Sequence, residues 1–149
     1  MTYKNKSTLG ISIQYPSNWK RIEVDNKALI FLPPSKKDGF SEKLTIAVFN
    51  VNSSISINQL FSGSINNYGE LFKDFFIIDS RPIIFGGKPG YFLSYTYTAP
   101  DAGTIATMDI GFKGLNKAYV ISYSAQQPEY NTFVVAVEKM VESFRVIST

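Results

Sequence analysis

The sequence predicts one α+β domain over residues 1–149, a mostly antiparallel sheet carrying two amphipathic helices. Three observations predict it. At 149 residues the chain has the length of a single compact unit. Most of it alternates apolar and polar residues between turn signals too closely spaced for crossover helices. Two segments alone switch to the 3.6-residue period of a helix. Apolar residues are 44% of the chain and charged residues 18%, the balance of a folded domain. A domain of this length buries roughly 68–70% of its unfolded surface, so it needs neither metal nor disulfide to hold a core.

The elements follow in chain order. Ile11, Ile13 and Tyr15 alternate with Ser12 and Gln14 until Pro16-Ser17-Asn18 forces a turn. Trp19 to Val24 and Ala28 to Leu32 can pair across Asp25-Asn26. Pro33-Pro34 and the polar stretch Ser35 to Ser41 form a loop, the segment expected to move most. Leu44, Ile46 and Val48 resume the strand pattern. Ser56 with Gln59 then makes a capping box, and Ile55 with Leu60 a hydrophobic staple, at the start of the first helix. Ile57, Leu60, Phe61, Ser64, Ile65, Tyr68, Leu71 and Phe72 share one face of it. Gly63 and Gly69 each weaken it by about 1 kcal/mol relative to alanine, so docking must hold it.

Phe75 to Ala125 reads as a meander with turns at Gly86-Gly87, Pro100-Asp101-Ala102-Gly103 and Gly114-Leu115-Asn116. One face is expected to collect Tyr91, Leu93, Tyr95 and Tyr97 with Met108, Ile110, Phe112, Tyr119, Ile121 and Tyr123. The other is expected to collect Ser94, Thr96, Thr107, Asp109, Lys113, Ser122 and Ser124, with Phe92, Ile105 and Val120 among them. The aromatic face has the composition of a core beneath a helix rather than of an exposed stacking platform. The second helix opens after Gln127, with Pro128 at its first position and Glu129 in its first turn. Tyr130, Phe133, Val134, Val137, Met140, Val141 and Phe144 form its apolar stripe.

The chain has no cysteine and no histidine, which removes thiolate nucleophiles, imidazole bases and Cys/His zinc sites together. Ser17-Asn18-Trp19-Lys20 matches a Ser-x-x-Lys pattern, but it follows Pro16 in a turn, and neither Ser-Asp-Asn nor Lys-Thr-Gly occurs later. Gly86-Gly87-Lys88-Pro89-Gly90 lacks the spacing of a phosphate loop and reads as a hairpin turn. Asp25, Asp38 and Asp101 stand alone in their loops, where calcium would need clustered oxygens. No catalytic residue, metal or cofactor is expected. The net charge of +3 is scattered, which argues against nucleic acid, and no apolar stretch approaches the ~20 residues of a membrane span. Two candidate sites remain. Trp19 beside Lys20 and Arg21 joins a ring to two cations that could grip a protein partner. Asp109 with Ser94, Thr96 and Thr107 would make a polar sheet face able to bind a small ligand or glycan.

Four stretches in this order resemble the PsbP-like family. They are Gly10-Ile11-Ser12-Ile13-Gln14-Tyr15-Pro16-Ser17-Asn18-Trp19, Gly87-Lys88-Pro89-Gly90-Tyr91, Lys117 to Ala125 and Glu138 to Phe144, and the similarity runs from about Leu9 to Val146. The resemblance implies an α/β/α sandwich with a central antiparallel sheet of about six to seven strands and two main helices. It implies a non-enzymatic role, and the form of the Trp-containing segment is similar to prokaryotic exported members. No functional residue of the family carries over by motif. The expectation is therefore a non-catalytic binding or scaffolding domain, exported to the cell envelope or beyond, with a cytoplasmic location left open. It would act as a monomer on a protein partner, with membrane association through a leader or anchor outside this chain. The alternative is a small-ligand or glycan receptor, and a carboxylate hydrolase stands third.

Overall fold

The computed structural model describes residues 3–25, 27–34 and 42–146, which form two antiparallel sheets and two α-helices. The loop expected to be most mobile, Ser35 to Ser41, lies outside the described residues, as does Asn26 of the Asp25-Asn26 turn. The smaller sheet joins β1 (Tyr3–Thr8), β2 (Ile11–Pro16) and the short β10 (Arg145–Val146) in the order β1-β2-β10. Leu9 and Gly10 link the first two strands with φ of 57° and 73°, the two positive φ values of a type I′ hairpin turn.

The larger sheet contains β3 (Lys20–Val24), β4 (Ala28–Leu32), β5 (Lys43–Asn50), β6 (Lys73–Phe85), β7 (Lys88–Ala99), β8 (Gly103–Lys113) and β9 (Lys117–Gln126). Its order is β3-β4-β5-β9-β8-β7-β6, antiparallel throughout, which leaves β3 and β6 at the edges. The meander from β6 to β9 is the one the turn signals predict. The segment Ile11 to Tyr15 belongs not to this central sheet but to the small one, which sequence periodicity could not distinguish.

Helix α1 (Ile57–Leu71) begins with the predicted capping box. Ser56 Oγ accepts from the Gln59 N–H at 3.1 Å, and Gln59 Oε1 accepts from the Ser56 N–H at 2.8 Å. We expect Ser56→Ala to cost about 1 kcal/mol in urea denaturation, because the Gln59 N–H loses its acceptor at the start of a glycine-weakened helix. Ile57 and Phe61 are buried, and Leu60, Ile65, Tyr68 and Phe72 pack around them. Leu71, expected on this face, is 76% exposed at the helix end. Helix α2 (Tyr130–Ser143) is preceded by a 3₁₀ turn, Gln127–Glu129, that contains Pro128, so the α-helix starts two residues later than predicted. The cause is that proline supplies no N–H and its fixed φ suits the tighter first turn.

The helices cover opposite faces of the large sheet. Against one face, Val137, Met140 and Phe144 from the α2 end join Ile11 and Ile13 of β2 and Leu29, Phe31, Leu44, Ile46, Ile121 and Tyr123 of the sheet. Against the other, α1 packs on Leu93 and Tyr95 of β7. The expected facial grouping fails at one turn. Ala99 pairs with Gly103, leaving a three-residue turn with Asp101 at φ of 64° and with Gly103, just after it, at 74°. Odd positions of β7 therefore lie beside odd positions of β8, so Leu93 pairs with Asp109 and Tyr95 with Thr107. A one-residue change in turn length moves a whole strand's side chains to the other face. Tyr91, Leu93, Tyr95 and Tyr97 thus share a face with Asp109 and Thr107, while Ser94 and Thr96 lie on the face of Met108.

Candidate binding surfaces

Asp109 does not stand on a half-exposed polar sheet. It is 3% exposed, in the central part of β8 and under α1. Tyr68 of α1 and Tyr95 of β7 both donate to its Oδ2 at 3.4 Å, while Oδ1 has no hydrogen-bond partner. Burial pushes the carboxyl up from its ordinary 3.8 to about 6, and the nearby Ser122, Tyr68 and Tyr95 hydroxyls pull it partly back. Burial, then the Asp109 charge, pushes the Tyr68 hydroxyl up to about 12 and raises Tyr95 and Tyr97 as well. Phe72 closes the cluster, stacked on Tyr97 at 4.2 Å and on Tyr68 at 5.1 Å between ring centroids. These rings stand between the carboxyl and solvent, so the arrangement stores a costly charge within a core rather than presenting it to a ligand.

The four candidate ligand residues do not converge. Thr107 is buried, with its Oγ1 3.3 Å from Ser124 Oγ on the same face as Asp109. Ser94 and Thr96 point through the sheet to the opposite side, for the parity reason given above. Sequence reasoning also missed Glu42, which is 3% exposed and keeps Oε2 without a partner. Its position just before β5 gave no signal, since a lone acid next to a polar loop reads as solvated. Among the described residues no group of three acidic side chains could hold a metal ion.

Trp19, Lys20 and Arg21 separate in the same way. Trp19 is buried in the main core, its ring edge-on to Phe133 of α2 at 6.0 Å, and its backbone N–H donates to Pro16 O at 3.0 Å. The Pro16 to Trp19 turn is not helical, so Ser17 and Lys20 do not meet as a catalytic pair would. Arg21 pairs across the strand with the buried Phe31 and bridges Glu23 at 2.9 Å, while Lys20 points to the other face. What Trp19 does reach is a surface depression of about 290 Å³. Its lining includes Trp19, Pro34, Phe133 and Val135, with Asn18, Thr132 and Lys139 supplying polar groups. Val135 is 64% exposed there. The lining thus mixes apolar side chains with a few polar groups.

Fold and surfaces together define an α/β/α sandwich with a surface depression beside α2. The chain belongs to the PsbP-like protein family, which it matches over residues 1–146. Among solved structures it is similar to cyanobacterial PsbP (CyanoP) from Synechocystis sp. PCC 6803, with a TM-score of 0.70 at 16% identity, covering 97% of this chain and 91% of that one. The Saccharomyces cerevisiae Ran-binding protein Mog1p aligns with a TM-score of 0.65 at 12% identity, over 99% of this chain and 97% of its own. LpqN of Mycobacterium tuberculosis, involved in cell envelope biogenesis, aligns at 0.67 and 13% identity, over 90% and 81%. No curated protein sequence matches the chain. Among the described residues no helix is long and apolar enough to cross a membrane.

Proposed function

We propose that this is a non-catalytic domain that binds a protein partner at the cell envelope, through the groove between Trp19 and α2. The observation that carries the reading is the exposed apolar Val135 beside Phe133 and Trp19, a cluster that a partner's apolar side chain could cover. The Ran-binding activity of Mog1p supports the idea that this fold serves protein recognition, and the envelope role of LpqN supports the location.

The test is capture with chemical crosslinking from envelope and cytosolic fractions, using the wild-type domain, Val135→Glu and, as a surface control, Leu115→Glu. We expect one partner from the envelope fraction, retained by the control and weakened roughly thirtyfold by Val135→Glu, the effect of a charge at the centre of a contact. Capture from the cytosol alone would overturn the envelope assignment. Loss of nothing on Val135→Glu would overturn the groove.

A further inference from the structure

Strand β6 is a free edge, 13 residues long, with Phe76, Ile78 and Ile84 exposed at 64%, 59% and 74%. Such an edge is a template for another strand unless something blunts or occupies it. Pro82 shows which way its backbone faces. It pairs with Tyr91 yet has no N–H, so Arg81 and Ile83 bond inward to β7 while Ser80, Pro82 and Ile84 turn their backbone groups outward. Ser80 therefore offers both its N–H and its C=O along the edge.

The sequence around Ser80 is self-complementary in the antiparallel sense. In the register set by β7, Ser80 lies opposite Leu93, Asp79 opposite Ser94, Ile77 opposite Tyr95 and Phe76 opposite Thr96, with Ile78 the extra residue of a bulge. Counting outward from Ser80, Asp79 and Arg81 lie one step away on either side, Ile77 and Pro82 two, and Phe76 and Ile83 three. The members of each pair sit on the same face of the sheet.

We propose that β6 pairs antiparallel with β6 of a second copy about a two-fold axis at Ser80. The axis sets Asp79 of each copy opposite Arg81 of the other, in the closely spaced positions between ladder hydrogen bonds. Within one chain Arg81 Nε already holds Asp79 Oδ2 at 2.9 Å, and its guanidinium lies 4.9 Å from the Phe92 ring. The pairing extends this ion pair into a ring of four charges. The exposed Phe76 of one copy meets Ile83 of the other, and two bonds between the Ser80 residues are joined by one from each Ile77 N–H to Pro82 C=O. Moving the axis to Pro82, the next outward residue, sets two prolines together with no donor and leaves both charges opposite apolar side chains. The proline and the charges thus block other registers while permitting this one. A monomer, expected from the sequence, gives way to a weak symmetric dimer.

Because the chain has no cysteine, the test is direct. Cα atoms in a hydrogen-bonded antiparallel pair lie about 5.5 Å apart, within disulfide reach. Ser80→Cys should therefore form a disulfide dimer under mild oxidation far faster than Leu115→Cys at an unrelated exposed site. Sedimentation equilibrium of the wild type should give a dissociation constant on the order of 10–100 µM, as suits a small interface. Asp79→Arg should weaken association at least about tenfold by opposing like charges, and adding Arg81→Asp to the same chain should restore it. A wild type that stays monomeric with Ser80→Cys no faster than the control overturns the proposal. So does a charge swap that fails to restore association.

Discussion

Replacing Asp109 by asparagine is expected to stabilise the domain at neutral pH by about 3 kcal/mol and to leave its stability unchanged near pH 3. The carboxyl ionises at about 6 in the folded chain against its ordinary 3.8. Between these values only the unfolded state releases the proton, so this group's contribution is fully present below 3.8, falls as pH rises, and is lost above about 6. Asparagine keeps the shape, its carbonyl can still accept from Tyr68 and Tyr95, and its amide replaces the unpartnered Oδ1 with a neutral donor. Urea denaturation of both proteins from pH 3 to 8 checks this, the difference between them isolating Asp109 from other carboxylates. Parallel pH curves would show that the carboxyl titrates normally and that the tyrosine cluster does not seal it.

Adding a single methyl group to the backbone of β8 is the second large effect. A Cβ on Gly111 would lie 2.3 Å from Phe61 Cε1 and 2.7 Å from Cζ, closer than packed carbon atoms tolerate. Phe61 is buried and is locked against Tyr91 at 4.9 Å, so it cannot simply swing away. We expect Gly111→Ala to cost about 1–3 kcal/mol by overpacking the seam between α1 and the sheet. Combining it with Phe61→Leu should recover about 1 kcal/mol relative to the sum of the single changes, since the two residues share one space. Chemical denaturation of the four proteins in the cycle measures it. Additive losses would mean that Gly111 is needed for something other than room for the ring. Gly90, which pairs with the adjacent Phe112, has a similar constraint, with a Cβ 2.8 Å from Gly111 O.

Much of this molecule is determined locally. The capping box of Ser56 and Gln59, the glycine pair turning β6 into β7, the apolar stripe of α2 and the alternation in β4, β5, β8 and β9 each depend on residues a few positions apart, and the sequence alone determines them. Which strands meet, and which face each presents, depends on contacts between distant residues and on the length of single turns. The three-residue turn after Ala99 carried Tyr95 to the side of Asp109 and moved Ser94 and Thr96 away, dissolving the polar face that the sequence suggested. Alternation from Trp19 to Arg21 likewise put the ring in the core and Lys20 on the opposite side, while the groove drew most of its other residues from α2, more than a hundred positions later. Residue types and periods set the elements. The buried carboxyl, the groove and the free edge of β6 exist only once the sheet order is fixed, because each is made by what the other elements cover or leave uncovered.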